Sequence, residues 1–220
     1  MDNYKVVKYA PDFYNEWNDF IKNSKNGTFL FHRDFMEYHA DRFEDFSLKV
    51  YKKEELIALF PANVLGKTIY SHQGLSYGGL ILKKETKFNS VLSVFSVILE
   101  YLYRKNYEKL EIKFLPSIYN SLPNNEIDYI VFLLDGVLIK RESLSVINQK
   151  EVLKISKNRI EGCKRGIKNN LEILEENNFN AFWNTILIPN LKRKYNTSPV
   201  HSQQEITFLK FLICMIKEII

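Results

Sequence analysis

The sequence predicts a mixed α/β (α+β) fold in which a mostly antiparallel sheet is flanked by helices. Three observations predict it. Strand-like runs at 46–51, 55–64 and 67–70 follow one another across short turns, as in an antiparallel meander. A long apolar helical pattern spans 85–105. Strands and helices also alternate irregularly, unlike the regular alternation of a doubly wound parallel sheet.

Each element has a local reason. Residues 4–9 alternate as a first strand. Ala10, Pro11 and Asp12 open a helix, with proline near its first turn. Phe13, Trp17, Phe20 and Ile21 then recur at helical spacing, and Asn26-Gly27 ends the run. A second helix is expected at 32–40, with Phe31, Phe35 and Tyr38 inward. The strands 46–51 and 55–64 are joined by the turn Lys52-Lys53-Glu54. In 85–105 the apolar positions are Val91, Leu92, Phe95, Ile98, Leu99 and Leu102. Leu110, Ile112 and Phe114 alternate in a strand at 108–114. The periodicity of 124–134 fits a helix or a strand, and 137–147 is strand-like. Further on come a basic stretch at 154–168, a short strand at 171–174 and a helix carrying Phe179, Phe182, Trp183, Ile186 and Leu187. Pro189 is expected at a break or kink in that helix. Ser202 to Glu205 spells a capping box that opens a last helix.

Composition bounds the function. The 220 residues are 45% hydrophobic and 26% charged, enough for one large domain or two small ones without disulfides. Cys163 and Cys214 lack a metal or redox spacing and read as reduced thiols. The polar start, Met1 to Lys5, is no export signal, and no apolar run reaches membrane-span length. These features give a cytoplasmic expectation with no transmembrane segment. The net charge of +5 suits an anionic ligand without demanding nucleic acid, and DNA is not expected.

The densest chemistry lies in Tyr70-Ser71-His72-Gln73-Gly74-Leu75-Ser76-Tyr77-Gly78-Gly79. Glycines here permit positive φ or close approach, while Tyr and His offer donors and acceptors on apolar bodies. This is a recognition loop for a polar ligand, or else a tight hairpin turning at Gly78-Gly79. His72 is the best acid/base candidate, since its ordinary pKa lies near neutrality. No nucleophile–base constellation is legible. His32, His39 and His201 show no zinc spacing, so no metal is expected. Asp34, Glu37, Asp41, Glu44 and Asp45 read as helix-surface acids. In the basic stretch, Lys154, Lys157, Arg159, Lys164, Arg165 and Lys168 form a solvated face or a phosphate contact, for which an arginine fork is best suited. Arg159-Ile160-Glu161-Gly162-Cys163-Lys164 approaches an Arg-x-x-Gly-x-Gly/Ala pyrophosphate loop but ends in lysine. RNA contact ranks last, because aromatic residues are not interleaved with these cations.

Several short pieces stand in a fixed order: Asn26-Gly27-Thr28-Phe29-Leu30-Phe31-His32 with Phe35-Met36, Pro61-Ala62-Asn63, and Ser71-His72-Gln73-Gly74 with Tyr77-Gly78-Gly79. Ser156-Lys157-Asn158-Arg159 with Gly162 and Lys164-Arg165, then Pro199-Val200-His201-Ser202, complete the set. Together these pieces resemble the FemAB-like branch of the GNAT acyltransferase superfamily. The likeness runs from about residue 4 to residue 209. It implies two GNAT-like units, 1–147 and 148–220, with a cleft between them. It also implies acyl or aminoacyl transfer to an amine on a sugar or peptide precursor of surface polysaccharide or cell wall. Acyl-CoA or aminoacyl-tRNA would be the co-substrate, with no permanently bound cofactor. His72 would be the acid/base or orienting group. Tyr70, Gln73 and Tyr77 would line the acceptor pocket, and Arg159, Lys164 and Arg165 would hold phosphate. Family members usually continue for roughly another hundred residues, so the second unit is expected to be incomplete. Its apolar end (Phe211, Leu212, Ile213, Ile216, Ile219, Ile220) would invite self-association.

Overall fold

The computed structural model describes residues 4–38, 40–148, 150–175 and 177–217, with side chains through 211. The chain divides into two compact units, Met1–Gly136 with Leu209–Ile220, and Val137–Phe208.

Unit one is a mixed α+β unit with antiparallel sheets flanked by helices. Its first sheet has the order β1-β3-β4-β7, all antiparallel: β1 (Tyr4–Lys8), β3 (Leu48–Lys52), β4 (Glu55–Phe60) and β7 (Ile81–Leu82). Its second sheet joins β2 (Glu44–Asp45), β5 (Asn63–Leu65), β6 (Thr68–Tyr70) and β8 (Lys109–Glu111) in that order. Within it, β6 and β8 run parallel and the other pairs antiparallel. The long α3 (Phe88–Arg104) supplies the crossover between β6 and β8 that a parallel pair requires.

The period of two along β4 places its side chains in two cores. Ala58 and Phe60 join the cluster built with Val91, Val94, Phe95, Ile98 and Leu102 of α3 and Ile127 and Ile130 of α4 (Glu126–Leu133). Leu59 joins Trp17 and Ile21 of α1 (Tyr14–Asn23), Met36 of α2 (Arg33–Glu37) and Ile81. Ala58, Leu59 and Phe60 are therefore fully buried.

Several expectations need correction. The run 55–64 is not one strand. Pro61 has no N–H for a ladder, and the chain leaves β4 there to enter β5 in the other sheet. The single meander is thus two sheets. Gly78-Gly79 is not a hairpin turn, because β7 pairs with β4 and not with β6. The second helix stops at Glu37; Phe31 is buried and Phe35 packs, partly buried, against the same core as expected, joined by Arg33 and Met36, while Tyr38 lies at the helix end. The strand at 108–114 is regular only over β8. The residues at 124–134 resolve as α4.

Unit two contains α5 (Lys157–Lys168), a π-helical stretch (Phe182–Leu187) running into α6 (Ile188–Tyr195), and the first residues of α7 (Gln203–Lys217), whose remainder from Leu209 belongs to unit one. Pro189 sits in the first turn of α6, at the junction with the π stretch. The capping box is formed: Glu205 N–H donates to Ser202 Oγ (3.1 Å) and Ser202 N–H to the Glu205 carboxylate. The expected strands at 137–147 and 171–174 are irregular and exposed, because no neighbouring strand is present among the described residues to take their hydrogen bonds. Among the described residues of this unit only Trp183 is buried. Of the expected apolar end, Phe211 is 60% exposed. The side chains of Leu212, Ile213, Ile216, Ile219 and Ile220, and of Cys214, lie outside the described residues, as does His39.

Candidate functional site

Residues 71–79 form a braced loop beyond the ends of β6 and β8. Ser71 extends the parallel pair: its N–H donates to Glu111 O (2.9 Å) and its Oγ accepts from Lys113 N–H (2.7 Å). The loop returns when Gly78 N–H donates to Lys113 O (2.9 Å). Lys113 Nζ also donates to the carbonyls of Gln73 (3.0 Å) and Leu75 (2.9 Å). One lysine thus satisfies carbonyls that a tight loop leaves without ladder partners.

Asn63 holds Gln73 twice. Its Oδ1 accepts from Gln73 N–H (2.7 Å), and its Nδ2 donates to Gln73 Oε1 (2.8 Å). Gln73 is half-buried in consequence, as is Tyr70 at the end of β6. His72 takes a left-handed φ of 69°, is 3% exposed, and packs its ring 5.9 Å from that of Phe43. Tyr77 is 9% exposed. Its hydroxyl donates to Thr28 Oγ1 (3.1 Å), and its ring meets Phe31 edge-on at 5.7 Å and Tyr119 at 5.4 Å. Burial pushes the Tyr77 phenol above its ordinary pKa, so it remains a proton donor at neutral pH.

Gly78 has a specific steric role. A Cβ there would lie 1.9 Å from the Ser71 carbonyl oxygen. Gly79, at φ 101°, supplies the backbone turn into β7. The glycine density noted in the sequence thus reflects both close approach and positive φ.

Beside this loop lies a polar cavity of about 320 Å³, lined by Ser117, Asn120, Ser121, Leu122, Pro123, Asn124 and Asn125. It adjoins the loop through Tyr119, the neighbour of Asn120 and the ring partner of Tyr77. Ser121 anchors the cavity wall, since its N–H and Oγ both donate to Lys25 O (2.9 and 2.7 Å). Lys25 is 3% exposed and pairs with Glu126 Oε1 at 2.5 Å. Three buried oxygens here have no hydrogen-bond partner among the described residues: Asn120 Oδ1, Asn124 Oδ1 and Glu126 Oε2. An acceptor left so costs about 1–3 kcal/mol.

The chain matches no protein-family model and no curated protein.

Arg159, Lys164 and Arg165 lie on α5 in unit two, and all three are exposed. His72, Gln73, Tyr70 and Tyr77 are brought together in unit one. Among the described residues, no group of three or more His, Cys, Asp or Glu side chains is placed to hold a metal.

Sequence reasoning passed over three buried cations. Arg33 pairs with Asp45 and with Glu37 (3.1 Å) and stacks over the Tyr9 ring at 3.6 Å. Lys49 pairs with Glu16 (2.8 Å) and with the Tyr51 hydroxyl (2.7 Å). Lys25 is the third. The acids at 34–45 are accordingly more than helix-surface acids, since Asp45 in β2 neutralises a buried guanidinium. The available signal was a charged residue at a core-facing position: Lys49 between Leu48 and Val50, and Arg33 beside Phe31.

Proposed function

We propose that the chain is an acyltransferase of the GNAT/FemAB type. It moves an acyl or aminoacyl group from acyl-CoA or aminoacyl-tRNA to an amine on a sugar or peptide precursor in surface-polysaccharide or cell-wall synthesis. The observation that carries this reading is the braced loop 71–79. It gathers His72, Gln73 and Tyr77 of the family-like motif and is held by Asn63 and Thr28, which belong to two further pieces of the same motif set.

In this reading the amine nitrogen attacks the thioester or ester carbonyl. The new C–N bond forms as the C–S or C–O bond breaks, and the amine proton ends on the departing thiol or hydroxyl. His72 accepts or orients that proton. Tyr70, Gln73 and Tyr77 position the acceptor, and Arg159, Lys164 and Arg165 are the phosphate-binding residues on α5. Incubation with acyl-CoA and amino-sugar nucleotides should release free thiol. Full activity of a His72→Ala variant would remove the acid/base role. Arg159→Ala should weaken binding of a phosphate-bearing acceptor more than Lys168→Ala, because a guanidinium fork makes two hydrogen bonds where an ammonium presents a point charge. Equal affinities by calorimetry would take Arg159 out of the site.

The 3% exposure of His72 favours a second reading, a non-catalytic binding or dimerisation module in which loop 71–79 is a structural brace. Absence of turnover with every donor, together with a stable oligomer, would select it.

A further inference from the structure

We infer that α5 in unit two is a docking face for an anionic lipid bilayer, on which it lies along the headgroup layer. The formal charge excess of the chain is confined to this unit. Residues 137–208 hold 12 of the 31 lysines and arginines and 7 of the 26 acids, which accounts for all of the +5. Five of those cations stand on α5 itself: Lys157, Arg159, Lys164, Arg165 and Lys168. They face one acid, Glu161.

Helical geometry separates these cations from an apolar stripe. At about 100° per residue, Ile160, Cys163 and Ile167 fall within about 60° of one another, and Lys157, Lys164 and Lys168 fill an adjoining sector of about 40°. Arg159 borders the stripe on its other side. The stripe is open: Ile160 is 43% and Ile167 75% exposed, and Cys163 is exposed. An apolar stripe bordered by long cationic side chains suits a helix lying in a bilayer surface. The isoleucines enter the acyl boundary, while the ammonium and guanidinium heads extend sideways to lipid phosphates. Charge complementarity makes the bilayer an anionic one.

Other occupants fit less well. A second copy would set one cationic helix against another. RNA would use the cations but has no use for the isoleucines, and no aromatic residue stands among them for a base to stack on. A protein groove takes apolar anchors at i, i+3, i+4 and i+7. Counted from Ile160, the i+4 position is Lys164, whose charged head needs water or a headgroup.

The inference goes beyond the transferase reading, and docking does not require turnover. Flotation of the full chain with vesicles of phosphatidylcholine and phosphatidylglycerol in equal parts tests it. Binding is expected there and not on phosphatidylcholine alone. Ile160→Ser with Ile167→Ser should weaken it about tenfold or more, at little change in helix propensity. Lys164→Gln should weaken it about fivefold, an effect that salt reduces. A second readout does not depend on loss of binding. The emission of Ile167→Trp should shift to the blue on adding the mixed vesicles, and that of Asn158→Trp, on the opposite side of the helix, should not. Equal shifts at both positions, equal binding to phosphatidylcholine, or flotation untouched by the isoleucine substitutions would overturn the proposal. So would displacement by inorganic phosphate at constant ionic strength, preference for RNA over vesicles, or an oligomer that the isoleucine pair holds together. Docking without acyl transfer would keep the surface and remove the enzyme. Acyl transfer without docking would do the reverse.

Discussion

Gly78 shows how strongly a single atom can be constrained. A methyl group 1.9 Å from the Ser71 carbonyl oxygen overlaps backbone that is already tied to Glu111. Gly78→Ala should therefore cost about 3 kcal/mol, the upper end for overpacking, read as a lowered denaturation midpoint. Gly162→Ala is the control. Nothing lies within 4 Å of a Cβ at Gly162, and in the middle of α5 alanine gains up to about 1 kcal/mol of helix propensity. If both substitutions cost the same, the steric account of Gly78 fails. His32 makes a second prediction at this scale. Burial first, and the Lys22 charge second, lower its pKa below 6.5, with Asp34 opposing. The unfolded chain therefore takes the proton before the folded one does. The stabilisation is complete above 6.5 and is lost as pH falls through the lowered folded value. The thermal midpoint should drop on acidification below 6.5, and His32→Leu should flatten that part of the profile.

Between elements, buried side chains replace missing strand partners. Asn26, 2% exposed, donates through Nδ2 to Leu80 O (2.8 Å) and accepts through Oδ1 from Leu82 N–H (2.9 Å). It stands beside β7 as one more rung of ladder. Asn26→Asp turns the donor into an oxygen facing Leu80 O, and should cost about 3 kcal/mol in a urea titration. A loss under about 1 kcal/mol would mean that Leu80 O finds another donor. Local patterning showed Asn26-Gly27 as a break and not as a ladder partner, since a turn signal is local while the partners lie more than fifty residues away. The same limit explains the other gaps. The helices α1 and α3, the strands β1 and β3, and the capping box of α7 were legible because their patterns are local. The brace formed by Asn63 and Lys113 on loop 71–79 was not, since it depends on which strands share a sheet. Pro61 carried the sheet change in plain view: a residue without an N–H should have divided the run 55–64.

For the whole molecule the contrast lies in burial. Almost all of the described buried residues belong to unit one, and unit two contributes only Trp183. Alternating apolar residues such as Leu144 and Val146 read as a strand, yet at 60% and 58% exposure they gain nothing from water exclusion. Periodicity reports which face a residue prefers and does not supply the surface that would cover it. Ordering a residue costs about 1–2 kcal/mol of backbone entropy, so an uncovered segment opens readily. Residues 137–148 are irregular and exposed, and they contain Lys140, which pairs with the exposed Glu142, and Arg141. Brief trypsin treatment should cut there first. A fragment ending at Lys140 or Arg141 should outlast every fragment drawn from 142–208, as read by mass spectrometry. Equal persistence of a fragment from 142–208 would mean that unit two is covered in solution, and its exposed apolar residues would then mark an interface.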